Sequence, residues 1–400
     1  MPGRIELLGK HTDYAGGRSL LAACERGLVI GMRPRDDAVV TFLDAGTRAE
    51  ARFAMDPDLV PLTGRWAGYP MTVARRLARN FPNARRGADL VLASDLPSAA
   101  GLSSSSALII ATFLALADAN ALSDTPAWRE HLATPESLAG YLGCVENGQD
   151  FGPLTGELGV GTFGGSQDHT AILCCHAGAL SQYRFCPVTF EGEAPWPAGR
   201  ALVVGVSGVR ARKTGPEREA YNRLSFASRR ILERWRQHSG SSAPTLAAAV
   251  AEAGVEALVR DLEGAPARAG DPPGYLAGRL RQFAAETFEI IPAASAAFAA
   301  GDLAEFGRQV DRSQRGAEEW LGNQVPETVA LARLARELGA HAASAFGAGF
   351  GGSAWALVDA GSAGAFRREW MERYLRAFPR TARRAEAFVT LPGPPARRLD

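Results

Sequence analysis

The stretch Pro97–Ala119, PSAAGLSSSSALIIATFLALADA, carries two patterns in succession. Pro97–Ser106 is almost all small residues, with Gly101 and Leu102 leading into Ser103, Ser104, Ser105 and Ser106. The apolar run that follows from Ala107 is too long for a typical strand, so the pair reads as a loop feeding a helix N-terminus. Backbone N–H groups of such a loop can face an anion, and the dipole of the following helix favours phosphate there. Serine hydroxyls also bond Mg²⁺ and phosphate oxygens. The plain alternative is a serine N-cap, which needs one serine rather than four after Gly101.

Outward from this loop the chain mixes strands and helices without regular alternation. Upstream, GRIELLG (Gly3–Gly9) reads as a strand entering the polar turn HTDYAGG, with a second strand-like stretch around Leu28 to Met32. Trp66–Phe81 has helical spacing, and DLVLASDLP alternates like a strand that stops at Pro97. Downstream, Leu138–Glu146 reads as a helix, followed by a glycine-rich loop through Phe163–Asp168. ALSQYRFCPVTF and ALVVGVS read as strands on either side of a Pro/Gly stretch at 192–199, the best linker. The expected domains are therefore 1–191 and 200–400. The second half is mostly helical until ELGAHAASAFGAGFGGSAWALVDA, which reads as strand, glycine loop, strand; a helix at Ala365–Phe378 and the strand EAFVTL close it. This mixture favours an α+β fold over a doubly wound sheet.

Bulk properties bound the function. At 400 residues the chain exceeds the usual single-domain size. Its 44 basic and 43 acidic side chains demand no nucleic acid or other polyanion as partner. No apolar run approaches the ~20 residues of a membrane span, and the N-terminus lacks a signal layout, so a soluble cytoplasmic protein, monomer or homodimer, is expected. Cys24, Cys144, Cys174, Cys175 and Cys186 lack CxxC spacing, which argues against both a disulfide framework and a zinc site. Only Lys10 and Lys213 are lysine among the basic residues, so a lysine here is not casual surface filler.

Three further motifs need weighing. GAGFGG at Gly347–Gly352 (Gly347, Gly349, Gly351, Gly352) matches GxGxxG, but it runs into a strand near the C-terminus instead of opening a helix after an early strand. Rossmann binding is rejected on that ground, and close backbone approach to a ligand or to the serine loop is preferred. Neither Gly9-Lys10 nor Lys213-Thr214 has Walker A spacing. GKHTDYAGG packs Lys10, His11 and Asp13 into one turn, suited to a polyhydroxylated ligand, since a carboxylate accepts from two vicinal hydroxyls; the alternative is a solvated Asp turn. Six histidines without HxH or HExxH spacing make a histidine metal site unexpected, and Asp168 beside His169 is alone a weak acid/base signal.

In this order the motifs resemble those of the GHMP small-molecule kinases, and among them the galactokinase branch. GRIELLGKHTDYAGG is similar to GR-x-N-x-x-GEH-x-DY, LPSAAGLSSSSAL to the second GHMP motif and SAFGAGFGGSAWALV to the third; WAGY at Trp66, EAYNR at Glu219 and LGNQVPET at Leu321 fall in the right order. The resemblance implies a two-domain α+β fold with its active site in the interdomain cleft. It implies ATP and Mg²⁺, a sugar as acceptor, Asp168 as catalytic base with Arg4 as its partner, and Mg²⁺ ligands at Ser105 and Glu146. Asp13 would bind the sugar together with Lys10, His11 and Tyr221, while Gly101–Ser106 would hold the phosphates, backed by the Gly347–Gly352 loop.

The chain departs from the family pattern in four ways. Lys10 replaces a Glu that faces the far end of the hexose, Glu6 replaces an Asn, the Glu146-to-Asp168 interval is long, and Arg4 lies so near Met1 that either the start is misplaced or Arg4 sits on a frayed terminus. Lys10 as a sugar contact implies an acid-bearing hexose such as a hexuronate; paired with Glu6 and turned away, it implies nothing about the sugar. The expected activity is an ATP-dependent sugar 1-kinase. The alternatives are a galactokinase-like sensor that binds without turnover, and a GHMP kinase for another small alcohol.

Overall fold

The computed structural model describes residues 1–211, 216–263 and 271–399; Lys213 and Thr214 lie outside them. The α+β expectation holds. Strands β1 (Pro2–Leu8), β2 (Arg18–Pro34), β3 (Val39–Asp44), β4 (Glu50–Ala54), β5 (Ala88–Ser94), β6 (Ala179–Arg184) and β7 (Thr189–Pro195) form one sheet of order β4-β3-β5-β2-β6-β7, with β1 also on β2. A second sheet, β11-β8-β10-β9, is fully antiparallel and comprises β8 (Arg200–Val206), β9 (Ala342–Phe346), β10 (Ser353–Asp359) and β11 (Glu386–Thr390).

Helices α1 (Gly68–Asn80), α2 (Ser104–Ala119), α3 (Pro126–His131), α4 (Pro135–Asn147) and α5 (Gln167–Cys174) accompany the first sheet. The rest are α6 (Pro216–Ser239), α7 (Leu246–Ala253), α8 (Val255–Glu263), α9 (Tyr275–Ala284), α10 (Ile291–Ala299), α11 (Leu303–Gly316), α12 (Pro326–Glu337) and α13 (Ala363–Ala377). None of the described helices is long and apolar enough to cross a membrane.

Two differences from the sequence reading have physical causes. β2 begins at Arg18, ten residues before the expected Leu28, because its first half is buried among β1 and β6 and its second half pairs with β5. Small residues such as Ala22 and Ala23, fully buried there, gave no alternation to read. The expected linker at 192–199 is strand as far as Pro195, on the edge next to β6, where a proline is tolerated.

The cores position the cleft. α1, α2 and α4 pack Val73, Leu77, Ile109, Phe113 and Tyr141 against Phe42 and Leu90 of the first sheet. Another core joins the sheets, with Ile5, Leu7 and Leu20 meeting Val204, Phe346 and Trp355. Because β1 lies in this shared core, the polar side chains on its other face are fixed relative to both sheets.

Candidate active site

β1 places Arg4 and Glu6 on one face, since side chains two apart on a strand point the same way. Arg4 is not on a frayed end: it pairs with Ala23 of β2, Met1 N donates to Leu28 O at 2.9 Å, and Arg4 is 4% exposed. Its Nε donates to Asp168 Oδ1 at 2.7 Å and its Nη1 to Gly101 O, so one guanidinium ties the first strand to the serine loop and to α5. Burial works against the Arg4 charge, but Asp168 and Glu6 outweigh it and raise its pKa. Asp168 itself lies in the first turn of α5, where a helix N-terminus favours a negative side chain.

The turn after β1 is locked from inside. Thr12 Oγ1 donates to Gly9 O and Arg18 O, Gly16 takes a left-handed φ of 80°, and Asp13–Ala15 forms one 3₁₀ turn. Asp13 Oδ2 accepts from Gln167 N at 3.0 Å. Burial raises the Asp13 pKa, partly offset by that N–H. Gly165 is required opposite: a Cβ there would lie 2.4 Å from Asp13 Oδ2. His11 holds Ala348 O through Nε2 at 2.9 Å and Tyr14 OH through Nδ1 at 3.1 Å, with the Tyr221 ring centroid 5.1 Å away. Tyr221 in turn closes on Gly164, where a Cβ would sit 2.4 Å from its hydroxyl.

Lys10 is corrected. It is fully buried, its Nζ donating to Ser313 Oγ at 3.0 Å and Ser344 Oγ at 2.8 Å, and it lines neither cavity of the cleft. Ser313 Oγ donates in turn to Glu286 Oε1 at 2.9 Å, and that carboxylate oxygen also accepts from Gly9 N at 2.8 Å. The lysine is a structural cation under the turn. Glu6, not Lys10, faces the pocket.

At the serine loop, Ala99, Gly101 and Ser103 take positive φ values of 53°, 77° and 60°. Alternating left-handed residues turn successive N–H groups toward one side, which makes an anion cradle. Ser103 occupies the N-cap position of α2 without capping it through its side chain, so the simple serine-cap reading fails. Gly347, Gly349, Gly351 and Gly352 all have positive φ, and the two loops abut: Ser353 Oγ donates to Ala100 O at 2.6 Å, and a Cβ at Gly347 would lie 3.1 Å from Gly101 O.

The expected metal pair, Ser105 and Glu146, lines the two cavities of the cleft. The next serine, Ser106, is fully buried and lines neither; its Oγ donates to Glu146 Oε2 at 2.9 Å and lies 3.4 Å from Asp168 Oδ2. Ser105 is one residue, about 100° of helix, earlier and lines the cleft. The long interval does not displace Asp168, since Val160 N returns to Glu146 O at 2.8 Å. Glu157 in that loop ion-pairs with Arg75 and Arg79, and Asp150 accepts from Gly156 N. No group of three His, Cys, Asp or Glu forms a metal cage among the described residues. A hydroxyl and one or two carboxylates nevertheless fit Mg²⁺, which keeps most of its shell for water and phosphate oxygens. His169 Nε2, 3.4 Å from Glu146 Oε2, is a buried neighbour whose role its sequence position did not signal.

Two cavities meet here. The smaller is lined by Glu6, His11, Asp13, Glu146 and Tyr221, the larger by Trp66, Tyr69, Leu92, Ser98 and Ser103–Ser105, and both are lined by Arg4, Asp168 and Ala348. The sequence pointed to Trp66 through WAGY but not to its place in the larger cavity, because that wall is completed by the hairpin β3–β4, which carries no motif.

A two-sheet α+β frame with paired glycine-rich loops around an Arg–Asp junction is the architecture of a GHMP kinase. The models of the GHMP kinase N-terminal and C-terminal domains match residues 68–142 and 294–377, and the galactokinase galactose-binding signature matches residues 2–34. Over 379 residues the chain is 30% identical to a galactokinase of Chloroflexus aggregans, covering 90% of this chain and 83% of that one. It is 28% identical over 387 residues to a galactokinase of Roseiflexus sp., covering 95% and 88%. The chain belongs to the galactokinase family. Among solved structures, Lactococcus lactis galactokinase complexed with galactose superposes with a TM-score of 0.79 at 23% identity, covering 100% of this chain and 94% of that one. A mevalonate kinase from L. major, with R-mevalonate, reaches 0.57 at 16%, covering 98% and 95%.

Proposed function

We propose that the protein transfers the γ-phosphoryl group of ATP to the anomeric hydroxyl of galactose or a closely related hexose. The observation that carries this reading is the junction: Arg4 and Asp168 line both the pocket with the Asp13 turn and the cleft with the serine loop. A sugar in one and a triphosphate in the other would meet at Asp168.

Phosphoryl transfer asks mainly for positioning and charge neutralisation. Asp13 accepts from vicinal sugar hydroxyls, and its own geometry is held by Gln167 N. Asp168 accepts the proton of the attacking hydroxyl as that oxygen bonds the γ-phosphorus and the bond to the β,γ-bridging oxygen breaks, releasing ADP. Arg4, bonded to Asp168 and to the serine loop, keeps the base and the phosphate cradle in register and offsets charge developing between them. Ser105 and Glu146 would hold Mg²⁺, which would supply charge neutralisation on the phosphates when bound, and Ser106 would orient the Glu146 carboxylate.

The test is ADP release across a panel of hexoses with ATP and Mg²⁺, in wild type and Asp168→Asn. The variant should keep nucleotide binding and lose ~10²-fold or more in kcat. Turnover near wild type in Asp168→Asn sinks the assignment of the base, and ATP binding without turnover of any hexose in wild type leaves the non-catalytic sensor.

A further inference from the structure

Glu6 stands where the family has an asparagine, and the exchange replaces a group that both donates and accepts with a carboxyl. The side chain is 1% exposed, and Glu6 Oε1 has no hydrogen-bond partner within the protein. Buried carboxyl oxygens left in that state are expensive, so a native structure that keeps one has a use for it. The neighbouring cations are committed elsewhere: Arg4 to Asp168 and Gly101, Lys10 to Ser313 and Ser344. What remains in front of Glu6 is the sugar-side pocket, which it lines beside Asp13, Asp168 and Glu146.

Resting on the sugar-kinase reading above, we propose that Glu6 is a specificity-determining residue that accepts a hydrogen bond from a donor on the sugar, so that the pocket takes a neutral or amine-bearing hexose and rejects a hexuronate. Three observations converge on this. The oxygen is open and buried, which selects a donor. Besides Glu6 the wall carries three carboxyls, Asp13, Glu146 and Asp168, against Arg4, whose Nε already serves Asp168, so an acid-bearing sugar meets repulsion. The ammonium that a hexuronate would need is Lys10, and it lies under the turn, outside the pocket. Burial, reinforced by Glu286 and Asp168 against the opposing pull of Arg4 and Lys10, pushes the Glu6 pKa up to about 8.

The experiment compares kcat/KM for galactose, its 2-, 3-, 4- and 6-deoxy analogues, galactosamine and galacturonate in wild type, Glu6→Leu and Glu6→Gln, with nucleotide binding as the check on folding. In wild type galactose should exceed galacturonate by ~10-fold or more, and removal of one particular hydroxyl should cost ~10-fold or more, because a site built to bond a hydroxyl rejects the analogue without it. In Glu6→Leu the penalty for that one deoxy analogue should collapse to within about twofold while the others stay. Glu6→Gln, which retains an acceptor oxygen, should keep part of it and serves alone if Glu6→Leu does not fold. Deoxy penalties that stay the same in wild type and variants, or a preference for galacturonate, overturn the proposal while leaving the kinase reading intact. Absence of turnover with every hexose in wild type overturns both.

Discussion

Removing the ammonium of Lys10 tests the separation of structural from substrate-reading charge. Lys10→Met keeps most of the side-chain length but deletes both bonds from Nζ, to Ser313 at 3.0 Å and Ser344 at 2.8 Å, in a fully buried setting. Glu286, which accepts from Gly9 N and Ser313, is linked to the lysine only through the Ser313 hydroxyl. Each hydrogen bond to a charged group contributes about 1.5–3 kcal/mol, so losing two sets the expected loss at about 3–6 kcal/mol, a fifth or more of a typical folding free energy of about 5–15 kcal/mol. Urea unfolding followed by the fluorescence of the seven tryptophans measures it. The kinetic counterpart is that folded Lys10→Met keeps the wild-type ratio of kcat/KM for galacturonate to galactose. An unfolding free energy within about 1 kcal/mol of wild type, or a tenfold swing in that ratio, refutes the reasoning.

Three other outcomes follow from the site. Ser105→Ala and Glu146→Gln should each raise the Mg²⁺ concentration for half-maximal rate by ~10-fold, and Ser106→Ala by less, because Ser106 is buried and acts only through its bond to Glu146; an unchanged Mg²⁺ requirement in Ser105→Ala would move the hydroxyl ligand elsewhere. Gly165→Ala, whose Cβ would fall 2.4 Å from Asp13 Oδ2, should raise the sugar KM by ~10-fold or more at unchanged ATP affinity, read by initial rates at saturating nucleotide. Glu6 has a folded pKa of about 8 against an ordinary 4.5, so between those values the native state holds a proton that the unfolded state has released. Its contribution is full below pH 4.5 and is lost as pH rises through 8, so the Tm of Glu6→Gln should gain on wild type from pH 5 to pH 8.5; parallel profiles would show that Glu6 titrates normally.

What could be read from the sequence followed where side-chain identity alone dictates geometry. The serine loop and α2, the glycine loop between β9 and β10, and the Asp13 turn are written in runs of small or turn-forming residues, and the structure forms each at the expected place. The hairpin β3–β4 was invisible because Val39–Ala54 has neither an NG-type turn nor strong alternation, and its pairing with β5 is a tertiary choice. Within the site, the resemblance pointed to Ser105 and Glu146, but only the phase of α2 against α4 shows that the next serine, Ser106, is buried against Glu146. Lys10 stayed open between a sugar contact and a partner of Glu6 for a related reason. A rare lysine in a glycine-flanked polar turn marks a residue with a fixed task, yet Ser313 and Ser344, which define that task, are far away in the chain.

That distance bears on how the protein is made. The whole of the β1–β2 pairing lies within the first thirty or so residues, but Lys10 is bonded to residues 303 and 334 positions further on, and the Arg4 guanidinium lies against Gly347. At synthesis rates of about 5–20 residues per second, the turn spends most of translation with an unpaired ammonium beneath it. The pocket beside the Asp13 turn therefore takes its final form only when the last third of the chain has emerged, and a nascent chain holds every early motif without the ability to arrange them.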